Sequence, residues 1–204
     1  PEGVRSIGRN AFSLPGQDSS FSSLTHVNLP GSLNKIDMRA FAFNQKLEQV
    51  SFKAGLESIG MGAFRNTGIS DLKLPDGLKT IGDMAFYNSK IDQLYLPSSI
   101  KSVGDVAFAE TKIRELVIPE GMETIGAAAF AYTPLETLTL PDSVKTIAED
   151  AFIGTNLKEV RVAEGVDVDP NAFDQSVDII IKSKRDDENI GKPIEDINGD
   201  GFVD

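Results

Sequence analysis

Cysteine and tryptophan are absent from the 204 residues, and histidine occurs once, as His26. Without cysteine there is no disulfide framework, no thiolate metal ligand and no thiol nucleophile, and the redox compartment leaves no trace in the composition. A single histidine leaves one candidate base for a nucleophile and base pair. His26 falls in a run that recurs elsewhere in the chain, so it is expected to be a surface residue of a repeat. No apolar run reaches about 18 residues, the length a membrane-spanning helix needs, and no amino-terminal stretch has the parts of a secretory signal. Positive charge is scarce: 20 basic residues stand against 31 acidic ones, a net charge of -11. No basic stripe interrupts that balance, which disfavours nucleic acid and anionic lipid surfaces as partners. The hydrophobic share of 40% is ample for one sizeable core.

What the chain does have is a period. Ala-Phe dipeptides end at Phe12, Phe41, Phe64, Phe86, Phe108, Phe130, Phe152 and Phe173, with spacings of 29, 23, 22, 22, 22, 22 and 21. Eight of the twelve phenylalanines thus share one slot, which predicts a single buried column of rings. Other slots keep the same register. Leu72, Leu94, Leu116, Leu138 and Val160 are each followed two residues later by Leu74, Leu96, Ile118, Leu140 and Val162. A spacing of two is strand spacing, because alternate side chains share a face. Proline follows at Pro75, Pro97, Pro119 and Pro141, and having no N–H it ends the ladder. One short strand per unit is predicted there, and the strands together are expected to form one parallel sheet of seven or eight.

The second half of each unit carries Leu78, Ile100, Met122 or Val144, then Ile81, Val103, Ile125 or Ile147, then Ala-Phe. These offsets predict an extended piece followed by one helical turn. Gly60, Gly82, Gly104 and Gly126 follow the second apolar slot, and a positive φ is expected there. Stacked units about 4.8 Å apart would make a rod or shallow arc of roughly 35 to 40 Å. The 29-residue spacing reflects an insertion around Ser13 to Ser23, expected as a loop protruding from one edge.

The pattern L-x-x-L-x-L-P-x-x-L-x-x-I-G-x-x-A-F, as at Leu135 to Leu140 with Pro141, Val144, Ile147 and Ala151-Phe152, resembles the BspA-type leucine-rich repeats of bacterial surface proteins. It covers about residues 1–181. The resemblance implies an α/β repeat solenoid, a right-handed superhelix with the parallel sheet on its concave face and short strands and helical turns on its convex face. It also implies a secreted or surface-attached module for adhesion or protein binding. Proline stands where commoner leucine-rich repeats carry an asparagine ladder, so ligands of those subfamilies are not carried over.

Both ends carry signals. Pro1-Glu2-Gly3-Val4 through Ala11-Phe12 superposes on Pro119-Glu120-Gly121-Met122 through Ala129-Phe130 at a constant offset of 118, so the chain is expected to begin just after a strand, as a fragment would. Val177 to Ile181 predicts a terminal strand with Ile179 and Ile181 inward. Residues 182–195 have the composition of a linker. Residues 196–204 match the first nine positions of a calcium loop, D-x-[DN]-x-[DN]-G, with Gly201 at the sharp turn. They resemble the start of a dockerin, the calcium module that docks proteins onto cohesins. That resemblance implies Asp196, Asn198, Asp200, the Phe202 carbonyl and Asp204 as ligands. The twelfth, closing carboxylate is missing from the run, so calcium is expected in a longer protein and no bound ion in this chain.

The outward positions beside the buried strand residues are His26 and Asn28, Gln49 and Ser51, Asp71 and Lys73, Gln93 and Tyr95, Glu115 and Val117, Thr137 and Thr139, Glu159 and Arg161. They are mixed and polar, with no converging carboxylate or histidine pair of the kind an active site needs. No enzymatic activity is expected. The expected function is an extracellular or cell-surface module that binds a protein or glycan through this face, with a cohesin as a further partner of the complete dockerin. The alternative is a passive spacer. Tyr95, Val117, His26 and Gln93 favour the binder, being the kind of exposed groups that anchor contacts.

Overall fold

The computed structural model describes residues 2–14 and 22–182. Residues 15–21 of the insertion, the remainder of the linker and all nine calcium-loop residues lie outside the described residues.

Each repeat contributes two short strands, so that sixteen alternate between two columns. The odd column comprises β1 (Ser6–Ile7), β3 (Lys35–Ile36), β5 (Ser58–Ile59), β7 (Thr80–Ile81), β9 (Ser102–Val103), β11 (Thr124–Ile125), β13 (Thr146–Ile147) and β15 (Asp167–Val168). The even column comprises β2 (His26–Asn28), β4 (Gln49–Ser51), β6 (Asp71–Lys73), β8 (Gln93–Tyr95), β10 (Glu115–Val117), β12 (Thr137–Thr139), β14 (Glu159–Ala163) and β16 (Asp178–Lys182). Strands occur where the apolar slots place them.

Their pairing differs from expectation. The continuous eight-stranded parallel sheet is the odd column, in register from Ile7 opposite Ile36 through to Ile147 opposite Val168. The even strands, expected to form that sheet, pair only two by two: β2 with β4, β6 with β8, β10 with β12 and β14 with β16. The odd ladder is prolonged on both sides of its strands. Lys79 N–H donates to the Glu57 carbonyl at 2.9 Å before β7, and Gly82 N–H to the Ile59 carbonyl at 2.9 Å after it. On the even side proline closes the strands of the central repeats and removes a donor.

No helical turn forms at Ala-Phe, so the α in the expected class is corrected: the described chain is a solenoid of strands and stacked turns. The turn alternates its backbone. Met84, Phe86 and Asn88 donate N–H groups to Asp105, Ala107 and Ala109 of the next repeat at 2.8, 2.8 and 2.9 Å, while Ala85 and Tyr87 bond back within their own turn. Pointing alternate donors along the stack requires left-handed residues on both sides of Ala-Phe, and these occur at Met84 and Asn88 (φ 55 and 51). The glycines expected at positive φ are not there. Gly60, Gly82, Gly104 and Gly126 have ordinary φ, and a Cβ on Gly104 would lie 2.6 Å from the Asp83 nitrogen. They are small because the backbone of the preceding repeat passes against them.

The core is one stack. Phe41, Phe64, Phe86, Phe108, Phe130, Phe152 and Phe173 are buried, each ring 5.1 to 5.5 Å from the next and within 11° of parallel. Phe12, expected in the buried column, stacks on Phe41 but is 52% exposed, because among the described residues no earlier ring covers its other face. Beneath the rings, the hydroxyls of Thr67, Thr111, Thr133 and Thr155 donate to the carbonyls of Phe64, Phe108, Phe130 and Phe152 at 2.8 to 2.9 Å. At the far end, Ile179 and Ile181 are exposed together with Ile180. Their expected inward packing fails because β16 has β14 on one side only and no further repeat among the described residues.

Candidate functional site

The even column presents its outward side chains because the middle residue of each triplet from β2 to β12 is buried, or half-buried at Val27 and Leu138, between two exposed ones, as in Asp71-Leu72-Lys73 and Gln93-Leu94-Tyr95. His26, Asn28, Gln49, Ser51, Asp71, Lys73, Gln93, Tyr95, Glu115, Val117, Thr137, Thr139, Glu159 and Arg161 are all exposed on this face.

Three clefts open on it, one at each junction where the even strands do not pair. The cleft between β8 and β10 measures about 540 Å³ and gathers Gln93, Tyr95, Glu115 and Val117. Between β4 and β6 a cleft of about 310 Å³ takes Gln49, Ser51, Asp71 and Lys73, and between β12 and β14 one of about 260 Å³ takes Thr139, Glu159 and Arg161. His26, Asn28 and Thr137 border none of them. The ring of His26 meets the Thr25 hydroxyl, 3.0 Å from Nδ1.

Sequence reasoning missed Asp92, Arg114 and Pro119 in the largest of these clefts, and Lys182 in the smallest. Asp92, Arg114 and Pro119 sit at the strand ends, just outside the i, i+2 slots. Arg114 is fixed by Glu136 of the next repeat, Nη1 to Oε1 at 2.6 Å. Lys182 reaches back to Asp142 at 3.1 Å and to the Leu140 carbonyl at 2.9 Å.

Charge on the face is compensated locally. Lys73 pairs with Asp71, and Arg161 with Glu159, at 3.0 Å across two residues of one strand. Such exposed pairs contribute at most about 1 kcal/mol. Carboxylates held below their ordinary range lie on the odd side. Asp37 accepts from the Met38 N–H and pairs with Lys35, and Glu123 accepts from Lys145. Among the described residues no group of three or more histidine, aspartate or glutamate side chains is placed to hold a metal ion, and no helix is long and apolar enough to cross a membrane.

A strand-and-turn solenoid with a buried phenylalanine column and an exposed, cleft-bearing strand face defines a leucine-rich-repeat protein. The chain belongs to the BspA type leucine rich repeat family, whose six copies match residues 1–91 and 57–180. A leucine-rich repeat protein of T. pallidum is similar to it at 22% identity and a TM-score of 0.47, over 94% of this chain and 80% of that one. A leucine rich cell surface protein from Faecalibacterium prausnitzii A2-165 is similar at 19% identity and a TM-score of 0.47, over 91% and 72%. The pneumococcal vaccine antigen PcpA is similar at 20% identity and a TM-score of 0.45, over 88% and 71%. A search of the curated proteins found no match.

Proposed function

We propose that this chain is the recognition module of an extracellular or cell-surface protein, and that its even-strand face contacts a protein or glycan partner with the cleft between β8 and β10 as the anchor. One observation carries the reading. Tyr95 and Val117, on the two strands that border the cleft, are 73% and 64% exposed. Large apolar side chains left open beside each other, rimmed by Asp92, Gln93, Arg114 and Glu115, have the make-up of a contact anchor with a polar rim. A tyrosine adds a rigid ring with a polar tip. In this reading a longer protein is held in place by the run Asp196 to Asp204, completed to a calcium loop that docks on a cohesin.

The test is a partner captured by pull-down or glycan array from the native surroundings, followed by Tyr95→Ala. That change is expected to weaken binding by about 2 kcal/mol. Lys101→Ala, beside the odd sheet, is expected to do almost nothing, with thermal midpoints matching for both. An affinity indifferent to every even-face substitution would favour a passive spacer.

A further inference from the structure

A fourth groove, of about 450 Å³, runs along the edge where the phenylalanine turns pass into the even strands, and every side chain lining it is polar. Lys46, Lys90 and Lys112 line it from three repeats, and Gly68 holds the equivalent position between the first two. With no side chain at Gly68 the stretch between Lys46 and Lys90 is open, and a Cβ added there would lie 2.4 Å from the Gln45 carbonyl oxygen, so the local backbone would have to shift to admit one. In a chain of net charge -11 this is a local inversion of sign. Among the described residues no carboxylate lines the groove and no ion pair engages its three ammonium groups.

Two further features mark it. Asn88 donates from Nδ2 to Asn66 Oδ1 at 2.8 Å, which leaves the Asn66 amide hydrogens and the Asn88 carbonyl for something else. Ser89 stands where neighbouring repeats carry Thr67 and Thr111, but its buried hydroxyl has no partner and misses the phenylalanine carbonyl those threonines reach.

We propose that this groove binds an acidic oligosaccharide, with a sulfate or carboxylate on Lys90 and Lys112, sugar hydroxyls on Asn66 and Asn88, and a second anionic group at Lys46. From Lys46 to Lys112 is three repeats, about 14 Å at strand spacing. A protein partner would need apolar pockets for its anchoring side chains, and this groove has none. A long polyanion such as nucleic acid would meet the surrounding negative charge beyond the screening length of about 8 Å. Short charged groups on a hydroxyl-rich chain satisfy both limits.

Calorimetry on the 204-residue chain tests this with four probes: a sulfated hexasaccharide, a uronate-bearing unsulfated one, a neutral one and a phosphoserine peptide. Binding of either acidic sugar, weakened by added salt, is expected, and the tighter of the two identifies the anionic group. Lys90→Gln with Lys112→Gln should cut that affinity about tenfold or more. Lys90→Arg with Lys112→Arg should retain most of it. Tyr95→Ala should leave it unchanged, which separates this groove from the β8 and β10 cleft. Thermal midpoints of the lysine variants should match the parent, since no fold contact is lost. The proposal is overturned if no acidic sugar binds, if the neutral sugar or the peptide binds as well, or if the lysine changes have no effect.

Discussion

At the residue scale, the Ala-Phe turn imposes a conformation that its residues do not all favour. Asn10, Arg39, Gly62, Met84, Val106, Ala128 and Asp150 all take the left-handed region, with φ between 51 and 60. Glycine and asparagine do so cheaply, whereas a β-branched side chain crowds the backbone. Val106→Asn is therefore expected to stabilise the protein by about 0.5 to 1 kcal/mol, measured by urea denaturation. A loss of stability would mean that the packing of Val106 outweighs its strain. The phenol of Tyr87 donates to Glu110 at 2.8 Å, and that hydrogen bond holds its pKa above the ordinary tyrosine range. A raised folded pKa contributes stability below the unfolded value of about 10, lost as pH climbs through the folded one. Tyrosinate absorbance should show Tyr87 ionising late in alkali, and Glu110→Gln should bring it earlier. An unmoved titration would show that the bond does not persist in solution.

At the scale of the element, the even strands were readable and their partners were not. Leucines two apart mark a strand wherever it pairs, because burial of alternate side chains depends on the core beneath. Pairing depends on N–H and C=O groups that every residue carries alike, so the two-residue odd strands, with a single clear apolar slot each, formed the continuous ladder unannounced. The glycine after that slot was visible as a recurring position of the period, but its cause is contact between repeats. Gly104→Ala should destabilise by about 1 to 3 kcal/mol, since the methyl would meet backbone atoms of Gly82 and Asp83 at 2.6 to 2.7 Å. Ala148 occupies the equivalent slot of a later repeat, which shows that the backbone can shift and sets the lower end of that range. A neutral effect in thermal unfolding would refute the close approach.

Over the whole molecule, stability is a sum of contacts between nearest repeats, so position in the stack sets the cost of a change. Phe108 is covered by Phe86 and Phe130 at 5.2 and 5.5 Å, whereas Phe12 has Phe41 alone and is half open. Phe108→Ala is expected to cost about 3 to 5 kcal/mol, and Phe12→Ala less than about 2. Equal losses in denaturant titrations of the two variants would mean that the column does not act as a chain of neighbours.

From the amino-acid order alone came the period, the buried slots, the positions of the even strands and the family resemblance, because each is written in which side chains avoid water at a fixed spacing. Tertiary structure decided which column closes into a sheet, that the turns are not helical, and which exposed residues share a cleft. It also gathered Lys46, Lys90 and Lys112 into one groove of an acidic chain that shows no basic stripe along its length. Those lysines lie 44 and 22 residues apart in order. Stacking brings such residues within a few strand spacings, and only the folded solenoid converts one distance into the other.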